Sequence, residues 1–213
     1  MAAVAAPQSA PLVCVAIGRA ANRRSSCEEL TELFRDGHPV EAGYPRPVRT
    51  LPLGEHPFLA LLPGALTSPA LHLVGSPRID GGTVVRGARV RLTGDDGYCW
   101  VDESVPCIVF TFAHYRTASD LDVYLDLMHE LTRIRQIHEG RDVWDRSFEY
   151  HRRPTEIEGY AVAVAECRRL GLDEAAAFEH LSNPWMSAQQ VQELLHAVDA
   201  YLATTSGRAP AHS

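Results

Sequence analysis

The stretch "LDLMHELTRIRQ", Leu125 to Gln136, lies inside a helical pattern that opens at Ser119 and closes at Gly140. Ser119 followed three residues later by Asp122 is an N-terminal capping signal, and Gly140 is a stop. Turning about 100° per residue gathers Leu121, Tyr124, Leu125, Met128 and Leu131, with Leu127 and Ile134, on a broad apolar side. Asp122, Asp126, His129, Arg133 and Gln136 fall on a narrower polar stripe, with Glu130 at its border. In an arbitrary helix such a stripe is a solvated face, where Glu130 can reach Arg133 and Asp126 can reach His129. The surroundings of this helix raise a second reading.

Upstream, "APLVCVAIG" reads as a buried strand, and Ser26 with Glu29 caps a short helix ending at Gly37. Residues 38 to 69 are dense in Pro and Gly and read as an ordered loop with one helical turn at "PFLALL". From Leu71 the pattern becomes short β-rich pieces: "LHLV", "TVVRGARVRL" after the turn "DGG", "YCWVD" after "GDDG", and an edge-like strand "CIVFTF". Tight turns between neighbours predict antiparallel pairing. Downstream, Thr155 with Glu158 marks a second helix ending near Gly171, Asp173 a third to about Leu181, and Ser187 with Gln190 the last. The expected organisation is a β-rich part over residues 1–117, a helical part of the same domain over 118–204, and a disordered tail over 205–213. The fold class is α+β, a small, mostly antiparallel sheet followed by helices.

Composition narrows the chemistry. All 20 basic residues of the 213 are arginines, so Schiff-base, pyridoxal and P-loop lysine chemistry are excluded. Richness in Ala, Arg, Gly and Pro points to a GC-rich, bacterial genome. Residues 119–213 hold 9 Arg against 16 acids and carry the whole net charge of −7, the opposite of a nucleic-acid footprint. The longest apolar runs are far shorter than the roughly 20 residues that span a bilayer. Five cysteines without C-x-x-C spacing read as reduced thiols. The expectation is a cytoplasmic protein with neither membrane nor nucleic-acid partners.

Zinc catalysis uses two imidazoles on one helical face, which H-E-x-x-H supplies, with the Glu activating a bound water and a third ligand from elsewhere. Here His129 and Glu130 are followed by Arg133 where the second His would stand, and "RPTEIEGYAVAVAE" follows about 27 residues on. From about Cys107 to Gly171, a third of the chain, the sequence resembles a small zincin-like metallopeptidase of the gluzincin type, in which a second helix brings a Glu ligand. The resemblance implies His129 as first ligand, Glu130 as general base and Glu156, three before Gly159, as third ligand. Gln136 extends the match, and Glu158 is the rival to Glu156.

Arg133 breaks the pattern, because a guanidinium stays charged and cannot ligate zinc. Two ligands, His129 and Glu156, leave the metal site incomplete. His151 is the substitute third ligand, ahead of His114, while His138 is on the opposite side of the helix. A permanent cation at Arg133 can instead pair with Glu156 or Glu130, which predicts an Arg133–Glu156 salt bridge between the two helices. Tyr150 and Tyr160 flank the site and can orient a bound group, whereas Trp185 and Met186 read as core. The preferred expectation is a peptidase-like pseudoenzyme, or a cleft reused to bind a small molecule or peptide, without cofactor. The alternative is a metal-dependent hydrolase, with zinc as the possible metal, completed by a substitute third ligand such as His151, with Glu130 as base and Arg133 stabilising an oxyanion. A second alternative is a helical interaction or regulatory protein without that ancestry.

Overall fold

The computed structural model describes residues 43–206. The strand "APLVCVAIG", the helix capped at Ser26 and most of the predicted tail lie outside them. Within the described residues the fold is α+β, a small mixed four-stranded sheet with helices packed beside it.

Strand β1 (Gly54–Pro57) leads into helix α1 (Phe58–Leu61), followed by α2 (Leu71–Val74) and α3 (Gly81–Gly87). Strands β2 (Arg89–Thr93), β3 (Cys99–Asp102) and β4 (Cys107–Thr111) come next, then α4 (Phe112–Thr117). The helical half comprises α5 (Asp120–His138), α6 (Pro154–Arg169), α7 (Glu174–Leu181) and α8 (Ala188–Ser206). Helix α8 carries the chain two residues into the segment expected to be disordered.

The sheet order is β1-β2-β4-β3. Two of its pairings are antiparallel, β1 with β2 and β3 with β4, as in Cys99 opposite Phe110. The third is parallel, with Val90 beside Ile108. "CIVFTF" is therefore central rather than an edge, and each residue of β4 is buried, as its unbroken apolar run requires of a strand covered on both faces. The "GDDG" turn does not pair the strands it joins, because β4 inserts between them.

One predicted strand and the first half of another are helical. "LHLV" forms α2, since a four-residue apolar run does not distinguish the two states by itself. In "DGGTVVRG" the Asp80 carboxylate accepts from the Thr83 N–H at 3.0 Å and caps α3, so only the second half of that run is strand. Conversely, β1 lies within the stretch read as loop.

Helix α5 is the central element. Ser119 caps it, accepting from the Asp122 N–H at 3.0 Å. It ends at Gly140, whose φ of +77° lets the Arg141 N–H return to the Gln136 carbonyl at 3.0 Å. Packed against α6, β3, β4 and the short helices α2 and α3, it is buried at every position from Val123 to Gln136 except Asp126. The solvated-face reading of its polar stripe is overturned.

Helix α6 starts without the expected capping box. Arg153 is its N-cap with no side-chain bond, and Pro154 occupies the first turn, where a missing N–H costs nothing. Glu158 is turned instead to Arg135, Gln136 and Arg141. Asp173 does cap α7, and Ser187 with Gln190 forms a reciprocal box at α8.

Candidate functional site

His129, Glu130 and Arg133 project from α5 toward the first two turns of α6, where Glu156 and Gly159 lie. Arg133 donates from Nη1 to Glu156 Oε1, forming the interhelical pair that the sequence predicts. Its Nη2 donates to the Val143 carbonyl at 3.4 Å, and the guanidinium lies 4.5 Å from the centre of the Trp144 ring. Arg153 donates to the same Glu156 oxygen at 3.3 Å. On the other carboxylate oxygen, His129 Nε2 stands at 3.3 Å. Glu130 faces the group from α5, with Oε2 3.6 Å from Arg133 Nε and Oε1 4.0 Å from His129 Nε2.

This cluster is closed to solvent. His129, Glu130, Arg133 and Glu156 retain 5%, 6%, 3% and 0% of their exposure, so it is part of the core rather than the floor of an open cleft. Burial works against the Glu156 charge but is outweighed by Arg133 and His129, which hold its pKa down at about 2. For Glu130 burial wins over Arg133 and the carboxyl is pushed upward. Among the described residues, five buried side-chain atoms lack a hydrogen-bond partner, and all belong here or one turn away: His129 Nδ1, Glu130 Oε2, Arg133 Nε, Gln136 Oε1 and Glu156 Oε2. The site satisfies charge more fully than hydrogen bonding.

Gly159 sets the position of His129. A Cβ there would fall 2.9 Å from the imidazole Cε1, so the ring fits against α6 only because residue 159 has no side chain. Tyr160 covers the imidazole with ring centres 4.4 Å apart. Its hydroxyl shares a 2.8 Å hydrogen bond with Tyr150 and accepts from Asn183 Nδ2 at 2.8 Å. Burial, then the Glu156 charge, raise both phenols, which therefore stay protonated.

Other expected members are elsewhere. Gln136 donates to the Thr155 carbonyl and to Glu158, in a second buried cluster with Arg135, Arg141 and Tyr201. His151 is buried, but its Nε2 faces Glu193 on α8 at 3.1 Å and Glu149 at 3.6 Å. It is thus committed to α8 rather than offered beside His129. His114 bonds Asp126 at 2.7 Å, the acid that the helical spacing had assigned to His129. Trp185, read as core, is exposed. Trp144, Arg153 and Asn183 were not expected at the site, and nothing local signals them there, since each reaches it through a loop or a helix start.

Zinc does not fit this donor set. Only His129 and Glu156 of the implied ligands face each other, and a guanidinium that cannot coordinate already holds the Glu156 carboxylate. Among the described residues, no group of three or more His, Cys, Asp or Glu side chains is arranged to hold a metal. Among the same residues, no helix is long and apolar enough to cross a membrane. No family model, curated protein or solved structure matches the chain.

Gly159→Ala should lower stability in urea unfolding, although Ala favours an exposed helix by about 1 kcal/mol over Gly. A gain in stability would show that His129 is not held as described. A second prediction concerns pH. Glu156 and Glu158 both sit at about 2, with burial opposing and arginines lowering them, against 4.5 for an ordinary Glu. Depressed folded-state values mean that their contribution is complete above about pH 4.5 and is lost as pH falls toward 2. Unfolding free energy measured from pH 6 to 2 should fall in that window, and less steeply in Glu156→Gln; an unchanged slope would contradict the assignment.

Proposed function

We propose that the chain is a zincin-like scaffold in which the metal position has passed to the guanidinium of Arg133, and that it works by binding a small molecule or peptide. One observation carries this reading: Arg133, at the place of the second histidine in H-E-x-x-H, is buried on Glu156, the residue in the place of the third ligand. The arginine supplies a permanent positive charge to carboxylates that an ion would otherwise neutralise. His129 and Glu130 then serve to complete the charge cluster. Since the cluster is closed and Tyr160 is buried, a ligand meets the protein at the exposed aromatic rim that continues outward from Tyr150 through Trp185 and Tyr98.

The hydrolase reading is weaker because His151, its third ligand, is engaged by Glu193 and Glu149. The free thiols of Cys99, Cys107 and Cys167 fit a cytoplasmic setting.

The test is the zinc content of the dialysed protein beside an Arg133→His variant. The reading predicts no stoichiometric zinc in the wild type and about one zinc per chain in the variant, which restores three protein ligands. Wild-type protein that retains one zinc per chain would overturn the loss of the site; a variant that also fails to bind would count against the zincin-like scaffold.

A further inference from the structure

Outward from Tyr150, two aromatic side chains do not pack as core. Trp185 is 58% exposed and Tyr98 44% exposed, their ring centres 6.4 Å apart and their planes inclined by 58°. Trp185 meets Tyr150 at 85° and 5.8 Å, and Tyr98 meets the His114 ring at 83° and 5.5 Å. More than two fifths of each of Trp185 and Tyr98 is open to solvent, and exposed π faces attract cations. The lip already contains one internal case: the Arg153 guanidinium lies 5.7 Å from the centre of the Tyr150 ring, its charge met by Glu156.

The charges around the lip have the sign a cation needs. The turn that leads into Tyr98, "GDDG" at residues 94–97, holds two acids and no arginine. Asp95 and Asp96 are exposed. Asp126, reached from Tyr98 through His114, adds a partly exposed carboxylate.

The backbone beside the lip favours a polypeptide over a free amine. Among the described residues strand β3 ends the sheet and pairs on one side only, with β4, so its other edge is the place where an extended chain can add hydrogen bonds directly after Tyr98. We propose that Tyr98 and Trp185, with the Asp95–Asp96 turn and Asp126, receive an arginine side chain of an extended polypeptide partner that lies along β3. Arginine suits the lip better than lysine because its planar guanidinium stacks on rings and is weakly hydrated. The proposal rests on the binding reading above, naming the partner of that rim.

The probe is an acetylated, amidated seven-residue Ala/Ser peptide carrying two arginines, compared with the same peptide carrying citrulline, a neutral isostere. Binding is followed by calorimetry on the whole chain. The arginine peptide should bind at least about tenfold more tightly than the citrulline peptide, and lose about tenfold on Trp185→Ala and on Tyr98→Ala. Asp96→Asn should weaken the arginine peptide and leave the citrulline peptide unchanged, which keeps the test open if an aromatic variant fails to fold. Equal binding of the two peptides, unchanged affinity in folded Trp185→Ala, or no binding of either at millimolar concentration would each overturn the proposal. The zinc measurement fails or succeeds separately: zinc in the wild type with arginine-selective binding would refute the lost metal site while keeping the lip.

Discussion

The guanidinium of Arg133 is a permanent cation at the crossing of α5 and α6, and it is the main partner of the fully buried carboxylate of Glu156, with Arg153 and His129 beside it. An ionised carboxylate removed from water without a partner is too costly for a marginally stable domain to tolerate. Here the partner is fixed from three sides, by Glu156, by the Val143 carbonyl and by the Trp144 ring, so the charge cannot swing out to solvent. A buried pair of this kind need not stabilise the fold more than apolar residues of equal volume would. Its effect lies in specificity: a different register of α5 on α6 would leave both charges alone.

The same logic runs along the rest of the helix pair. Toward the start of α5, Tyr124 donates to Glu166 at 3.0 Å, and Arg169 holds that carboxylate from α6. Toward its end, Arg135 and Gln136 meet Glu158, which Tyr201 of α8 also approaches at 3.0 Å. Three polar layers thus alternate with the apolar contacts of Leu127, Met128, Leu131 and Ile134. This explains why a helix with charged residues on one stripe is buried almost all round. It also separates two roles that the sequence presents together, a charged interior that holds the helices in register and an aromatic rim that meets solvent.

What could be read from the sequence was what depends on local periodicity. Helices α5 to α8 and the strands at Cys99 and Cys107 follow from apolar spacing and caps, whereas the Arg133–Glu156 contact is expected from the ligand positions that the gluzincin resemblance implies for the two residues. The β2–β4 parallel pairing did not, because a crossover depends on which strand inserts between two others. "LHLV" and "TVV" are too short for period to separate helix from strand, and Asp80 acts as a cap where a turn residue was expected. For the site, the contributions of Trp144 and Arg153 and the diversion of His151 to Glu193 are all long-range, and no spacing within one element encodes them. Burial of the polar stripe was missed for the same reason: amphipathic spacing shows which residues share a face, and only the packing of α6 shows that the polar face is covered.

The most direct test of the central claim is a double-mutant cycle on Arg133→Met and Glu156→Leu, read by equilibrium unfolding of the four proteins. Each single change removes the main partner of a buried charge and should cost about 3–5 kcal/mol, whereas the double variant should lose clearly less than the sum of the two, giving strong coupling. Losses that simply add would contradict the account, because Arg133 and Glu156 would then not depend on one another.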